Sequence, residues 1–223
     1  MKQQRRILSD GWIATILIVA LLVIDQFIKI WVKTHMALHD DYVIASWFHI
    51  YFIENNGMAF GMSFIPKIGL SLFRIAAIGI LVYCLARIVQ REHRLGYVVC
   101  LAMIIAGAAG NIFDSMFYGL CFDASTPYHI SQWVGLGNGY ASFLHGRVVD
   151  MFYFPLIVTH WPEWMPWVGG EQFIFFSPIF NFADACISVG VVLLILFFRK
   201  DIELDKEVLF GGKKPAKELN EVV

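Results

Sequence analysis

Four runs of apolar residues, each about as long as the helix needed to cross a bilayer, constrain this chain more than any other feature of it. A hydrocarbon core of roughly 30 Å takes about 20 helical residues, and runs of that size lie near residues 12–32, 68–89, 97–117 and 178–198. Hydrophobic residues make up 58% of the 223, charged residues 16%, and mean hydropathy is +0.65. A soluble domain of this composition would lack the polar residues to cover its surface. The expected class is an all-α membrane protein with four transmembrane helices.

The basic residues between the runs set an orientation. Lys2, Arg5 and Arg6 precede the first run, Arg91 and Arg94 join the second to the third, and Arg199 and Lys200 follow the fourth. The two other connections, 33–67 and 118–177, carry only Lys33, Lys67 and Arg147. By the positive-inside rule both termini are cytoplasmic and these two connections face outward. The first run has the basic flank of a signal peptide, but it leads into "DQFIKIWVK" with no small-residue cleavage pattern, so it reads as a retained anchor. Without repeats or linkers, residues 1–200 form one membrane domain, and 201–223 a charged cytoplasmic tail.

In the first outer connection, Phe48, Ile50 and Phe52 alternate with His49, Tyr51 and Ile53, which predicts a strand ending in a turn at residues 55–57 and a small extracytoplasmic sheet. The second is a long extracytoplasmic loop whose Trp133, Trp161, Trp164 and Trp167 suit packing against lipid or protein. Cys84, Cys100 and Cys186 fall within spans and Cys121 in the outer loop, all read as buried thiols. The histidines show no HExxH spacing and the cysteines no metal spacing, so neither a metal nor a cofactor is called for. Nor is a nucleic-acid partner.

Polar residues inside the spans are costly and demand partners. Asp25 and Lys29, at i and i+4, lie on one face of the first span, either as a structural ion pair or as part of a site. The third span carries "AGAAGNIFD": Gly107 and Gly110 allow close backbone approach, and Asn111 and Asp114 follow three residues apart. The fourth repeats the theme in "FNFADA", where Asn181 and Asp184 are three apart, and Ser177 and Pro178 are the expected cap and first-turn residue. "GRVVDMFYF" holds Asp150 among apolar neighbours. Asp114, Asp150 and Asp184 are therefore expected in one layer near the outer surface.

Close carboxylates cannot all ionise, so a pair shares a proton, and one member accepts a proton from water while the other donates one. That is the arrangement of aspartic proteases. The other use of such a cluster is an ion or proton pathway in a small transporter or channel, with Lys29 and Arg74 as further members.

Five blocks in order, "DQFIK" at 25–29, "NNGMAF" at 55–60, "GAAGNIFD" at 107–114, "GRVVDMF" at 146–152 and "FNFADA" at 180–185, resemble lipoprotein signal peptidase, the bacterial signal peptidase II family. The resemblance implies a four-helix aspartic endopeptidase of the bacterial inner membrane, with its active site near the periplasmic face; a monomer is the expected state. It would remove signal peptides from diacylglyceryl prolipoproteins, cutting before the lipidated cysteine, in contact with membrane lipid and open to cyclic peptide inhibitors such as globomycin. It also implies Asp150 and Asp184 as the catalytic pair, and Asp25, Lys29, Asn55, Gly57, Asn111, Asp114 and Asn181 as substrate-binding or supporting residues. Gly107 and Gly110 join this group. The chain departs from the family pattern twice: Ser115 stands where Arg usually follows the "GNxxD" block, with Arg147 or Arg74 as candidate replacements, and residues 120–145 form an insertion that reads as a lid, a lipid contact or a partner surface.

Overall fold

A computed structural model describes residues 9–55, 67–90 and 93–203. Helix α1 (Asp10–His35) starts where the Ser9 hydroxyl accepts the Trp12 amide, and its buried stripe at Asp25, Gln26, Lys29, Val32 and Lys33 is largely polar. α2 (Lys67–Ile88) turns most of its surface outward, with Leu72, Phe73, Ile80 and Tyr83 exposed, as lipid contact requires. α3 (Leu95–Cys121) is the central helix and packs against α1, α2 and α4 (Phe182–Phe197). Two of its glycines make that possible: a Cβ on Gly107 would collide with the Ala183 carbonyl, and one on Gly110 would stand 2.5 Å from Asp25 Oδ2.

α1, α2 and α3 are long and apolar enough to cross a membrane. α4 is shorter than expected. Its 16 residues rise about 24 Å, and it begins at Phe182, not near Pro178. Ile179 and Phe180 are pulled out of the helix to pair with Tyr153 and Phe152. The cap is Asn181, not Ser177: its side chain accepts the Asp184 amide at 2.9 Å while the Asp184 carboxylate accepts the Asn181 amide at 3.3 Å. This reciprocal box satisfies amides that every helix start leaves orphaned. Asn181 and Asp184 thus meet through a cap rather than along a helix face. Cys121 also differs from expectation, as the buried last residue of α3.

The expected sheet is present, four-stranded and antiparallel. Its order is β1 (Asp41–Ala45), β2 (Phe48–Asn55), β3 (Val148–Tyr153) and β6 (Ile179–Phe180). Asn55 closes β2 in place of opening a turn; the rest of that expected turn, including Gly57, lies outside the described residues. A second pair, β4 (Ile157–His160) with β5 (Gln172–Phe175), forms a hairpin within the long loop that alternation in the sequence did not suggest. Two apolar clusters sit at opposite ends of the bundle. Ala14, Leu85, Ile88, Val98, Leu101 and Leu194 fill the end nearer the chain termini. Val32, Met36, Phe52, Tyr118, Val149 and Met151 fill the end beneath the sheet.

Candidate active site

The polar residues of the spans converge between these clusters, and Lys29 organises them. Its ammonium, fully buried, places its three donors on Asp25 Oδ2 at 3.0 Å, Asp114 Oδ2 at 2.9 Å and Asn111 Oδ1 at 2.8 Å. A lysine has no fourth donor. A buried ammonium without partners costs several kcal/mol, and these three contacts are what make Lys29 tolerable in the bundle. They also orient Asn111: its oxygen must face the ammonium, so its amide nitrogen faces Asp184 Oδ1, at 2.7 Å.

Asp25 and Asp114 have further fixed roles. Asp25 Oδ1 accepts the Ala183 amide at 2.9 Å, satisfying a first-turn donor of α4 and tying α1 to it. Asp114 Oδ2 accepts the Val149 amide of β3 at 3.4 Å. Gln26 donates to Asp25 at 3.1 Å and to Asp114 at 2.9 Å, and its oxygen accepts the Tyr118 hydroxyl at 3.0 Å. Gln26 and Tyr118 are members of the network that the sequence reasoning passed over. Gln26 stands inside the quoted "DQFIK" block, and its position directly after Asp25, within the Asp25–Lys29 turn, is the available signal.

Asp150 and Asp184 are joined through Asn181. The Asn181 amide group donates to Asn111 Oδ1 at 3.0 Å and to Asp150 Oδ1 at 2.6 Å, while the rest of the residue caps α4 at Asp184. Asn55, at the end of β2, donates to the other oxygen of Asp150. Asp150 is 2% exposed, whereas Asp184 is partly open to the surface. Burial first, and the charge of Asp184 second, push the Asp150 carboxyl up to about 8. Asp150 therefore favours its protonated form at neutral pH.

The remaining candidates divide. Gly107 and Gly110 line the α3–α4 and α3–α1 contacts that bring the carboxylates together. Ser115 is fully buried, with its carbonyl accepting the Gly146 amide at 2.9 Å. Arg74 on α2 lies within electrostatic range of Asp184, Asp114 and Asp150. Arg147 turns the other way, to Glu54 at 3.4 Å and over the Tyr140 ring at 5.4 Å. It belongs to a second buried cluster, unforeseen in the sequence. There Lys33 meets Glu54 at 2.5 Å and Ser125 at 3.0 Å.

Comparisons with known proteins bear on the family of the chain as a whole. The family model described as signal peptidase (SPase) II matches residues 17–199. A lipoprotein signal peptidase of Porphyromonas gingivalis is 52% identical over 212 residues, covering 95% of this chain and 92% of the relative. That of Amoebophilus asiaticus is 32% identical over 82% of this chain and 75% of the relative. A bacterial membrane enzyme solved by the in meso method at 1.9 Å resolution shares the fold, with a TM-score of 0.56 and 23% identity over 84% of this chain and 93% of that one.

Proposed function

Because the chain belongs to the signal peptidase II family, we propose that it is a membrane aspartic endopeptidase that removes signal peptides from diacylglyceryl-modified prolipoproteins, cutting before the lipidated cysteine. The observation that carries this reading is the placement of Asn181, hydrogen-bonded to Asp150 at 2.6 Å and capping the helix turn that presents Asp184. Asn181 serves both carboxylates, its side-chain amide donating to Asp150 and its backbone N–H to Asp184.

In the proposed reaction a water held by the pair is deprotonated by Asp184 as it attacks the scissile carbonyl. Asp150 supplies a proton, first as a hydrogen bond to the developing oxyanion and then to the departing amine. Asp184 then holds the proton taken from water and Asp150 has given its own to the amine, so the pair keeps one proton in total, and transfer of that proton from Asp184 to Asp150 restores the starting state. Lys29 does not touch the reacting atoms in this scheme. It holds Asn111, which holds Asp184.

The proposed setting is the bacterial inner membrane, with both termini cytoplasmic and the sheet outside. α4 falls short of a 30 Å core as an isolated helix. However, residues 199–203 resume helical structure and Ile202 donates to Phe198 at 3.1 Å. That continuation, beside the exposed Val192, Ile195 and Leu196, supports α4 as the fourth span. A substrate lying alongside would keep its acyl chains in lipid and bring only its peptide to the carboxylates.

Use of the same carboxylates for ion transport requires a polar path to the other end of the bundle. That end is filled by Ala14, Leu85, Ile88, Val98, Leu101 and Leu194. The test is cleavage of a purified diacylglyceryl prolipoprotein by the detergent-solubilised protein. The wild type should release the signal peptide, and Asp150→Asn and Asp184→Asn should each abolish release while the protein remains folded. Wild-type turnover by either variant removes that residue from the catalytic pair.

A further inference from the structure

The second buried cluster lies directly behind the site. Lys33, fully buried on α1, gives one donor to Glu54 Oε1 and another to Ser125 Oγ, and Ser125 in turn donates to the same Glu54 oxygen at 2.9 Å. The rings of Phe122 and Tyr140 close over the ammonium, 5.6 Å and 5.2 Å from it. Ser125, Phe122 and Tyr140 all come from the 120–145 insertion. Its backbone is tied down nearby, Leu38 donating to Thr126 and Tyr140 to Phe122. The insertion is therefore a packed wall of this cluster.

Burying an ion pair is a poor way to gain stability, since desolvation offsets most of the attraction; fixing a register is its best-attested use. β2 needs its register fixed here. Ile50 pairs with Phe152 and Ile53 with Asp150, so three steps along β2 match two along β3, which is a bulge. Beyond the bulge, Ile53 and Asn55 share the face of Asp150, while Glu54 shares the opposite face with Val149. A one-residue slip would send Asn55 to the wrong face and Glu54 toward the carboxylates.

We infer that the Lys33–Glu54–Ser125 cluster is a register lock: it grips β2 from behind so that Asn55 meets Asp150, and the insertion exists in part to complete the grip. Glu54, Lys33 and Ser125 are positioning residues, acting on the reaction only through Asn55. This rests on the peptidase reading above.

The lock is tested by a double-mutant cycle between Glu54→Gln and Asn55→Ala, read as kcat and KM on a diacylglyceryl prolipoprotein, with thermal melting as a check on folding. Glu54→Gln should lower kcat about tenfold and change KM less than about twofold; in the Asn55→Ala background it should lower kcat less than about twofold further, because two residues acting through one contact do not add. Ser125→Ala, which keeps both charges, should lower kcat about threefold and also vanish in the Asn55→Ala background. Wild-type kcat in Glu54→Gln, or additive effects with Asn55→Ala, overturns the lock. If Glu54→Gln fails to fold, the Ser125→Ala pair of measurements decides in its place, additivity again overturning the proposal. Failure of the peptidase reading looks different: the wild type would then release no signal peptide, or Asp150→Asn would cleave as the wild type does.

Discussion

The molecule buries two ion clusters a few residues apart, and their charge balance separates them. The first gathers Asp25, Asp114, Asp150 and Asp184 around Lys29, with Arg74 in electrostatic range. The second sets Glu54 against Lys33 and Arg147. Carboxylates in excess must hold protons when water is excluded, because a buried charge without a partner is too costly. A cluster with cations to spare has no such need. On the proposed reading, proton chemistry belongs to the first cluster and shape to the second.

The largest expected effect follows from that excess. Asp150→Asn and Asp184→Asn keep the size of each side chain and remove its proton exchange, so cleavage should fall roughly 10²–10⁴-fold. The melting temperature should stay within a few degrees, since the amide replaces one hydrogen-bonding group by another. Steady-state cleavage beside a thermal melt reads both quantities, and a large loss of stability with little loss of turnover would reverse the division drawn between the clusters.

Next in size is the contrast between the two buried lysines. Lys29→Met strands two carboxylates, Asp25 and Asp114, and should cost about 3–5 kcal/mol. Lys33→Met leaves Glu54 with Ser125 and Arg147, so the loss should be about 1–3 kcal/mol. Denaturant or thermal unfolding of both variants in one detergent orders them. Equal losses would mean that Arg147 contributes nothing to Glu54 once Lys33 is gone.

This contrast also marks what the sequence could disclose. The three membrane-length helices, the Asp25–Lys29 pair and the Asn111–Asp114 spacing on α3 are legible because apolar run length and helical spacing are local properties. The start of α4 is not, because a strand pairing with β3 pulls Ile179 and Phe180 out of the helical run. Lys33 reads as one of the few basic residues of an outer connection and nothing in the sequence links it to Glu54, since the contact that buries them joins residues 21 apart and draws Ser125 from 71 residues beyond Glu54. Nor does spacing alone distinguish Arg147 from Arg74 as the cation serving the acidic layer. Expected depth is the only guide in the sequence, whereas in the structure the Arg147 side chain turns to Glu54 and Arg74 lies within electrostatic range of the acidic layer.

Another expected effect concerns pH. Asp150 takes up its proton at about 8 in the folded protein and near 4 when unfolded. Between those values the native state holds the extra proton, so stability falls as pH rises through this window and levels off above about 8. Asp150→Asn removes the group and should flatten the decline. Melting temperatures at intervals from pH 5 to pH 9 provide the measurement, and an unchanged slope in the variant would assign the decline to another residue.

The smallest effect is expected at Arg147. Its side chain is 44% exposed and reaches Glu54 at only 3.4 Å, a weak, solvent-screened pair beside the fully buried Lys33 contact. Arg147→Ala should cost at most about 1 kcal/mol and leave cleavage near normal. Arg74→Ala removes a cation within range of three carboxylates of the first cluster and should slow cleavage several-fold, because Asp184 loses the charge that offsets its own. Measuring the two variants on one substrate tests which arginine compensates for Ser115. A greater loss of cleavage in Arg147→Ala than in Arg74→Ala would give the register lock a cationic member and take that role from α2.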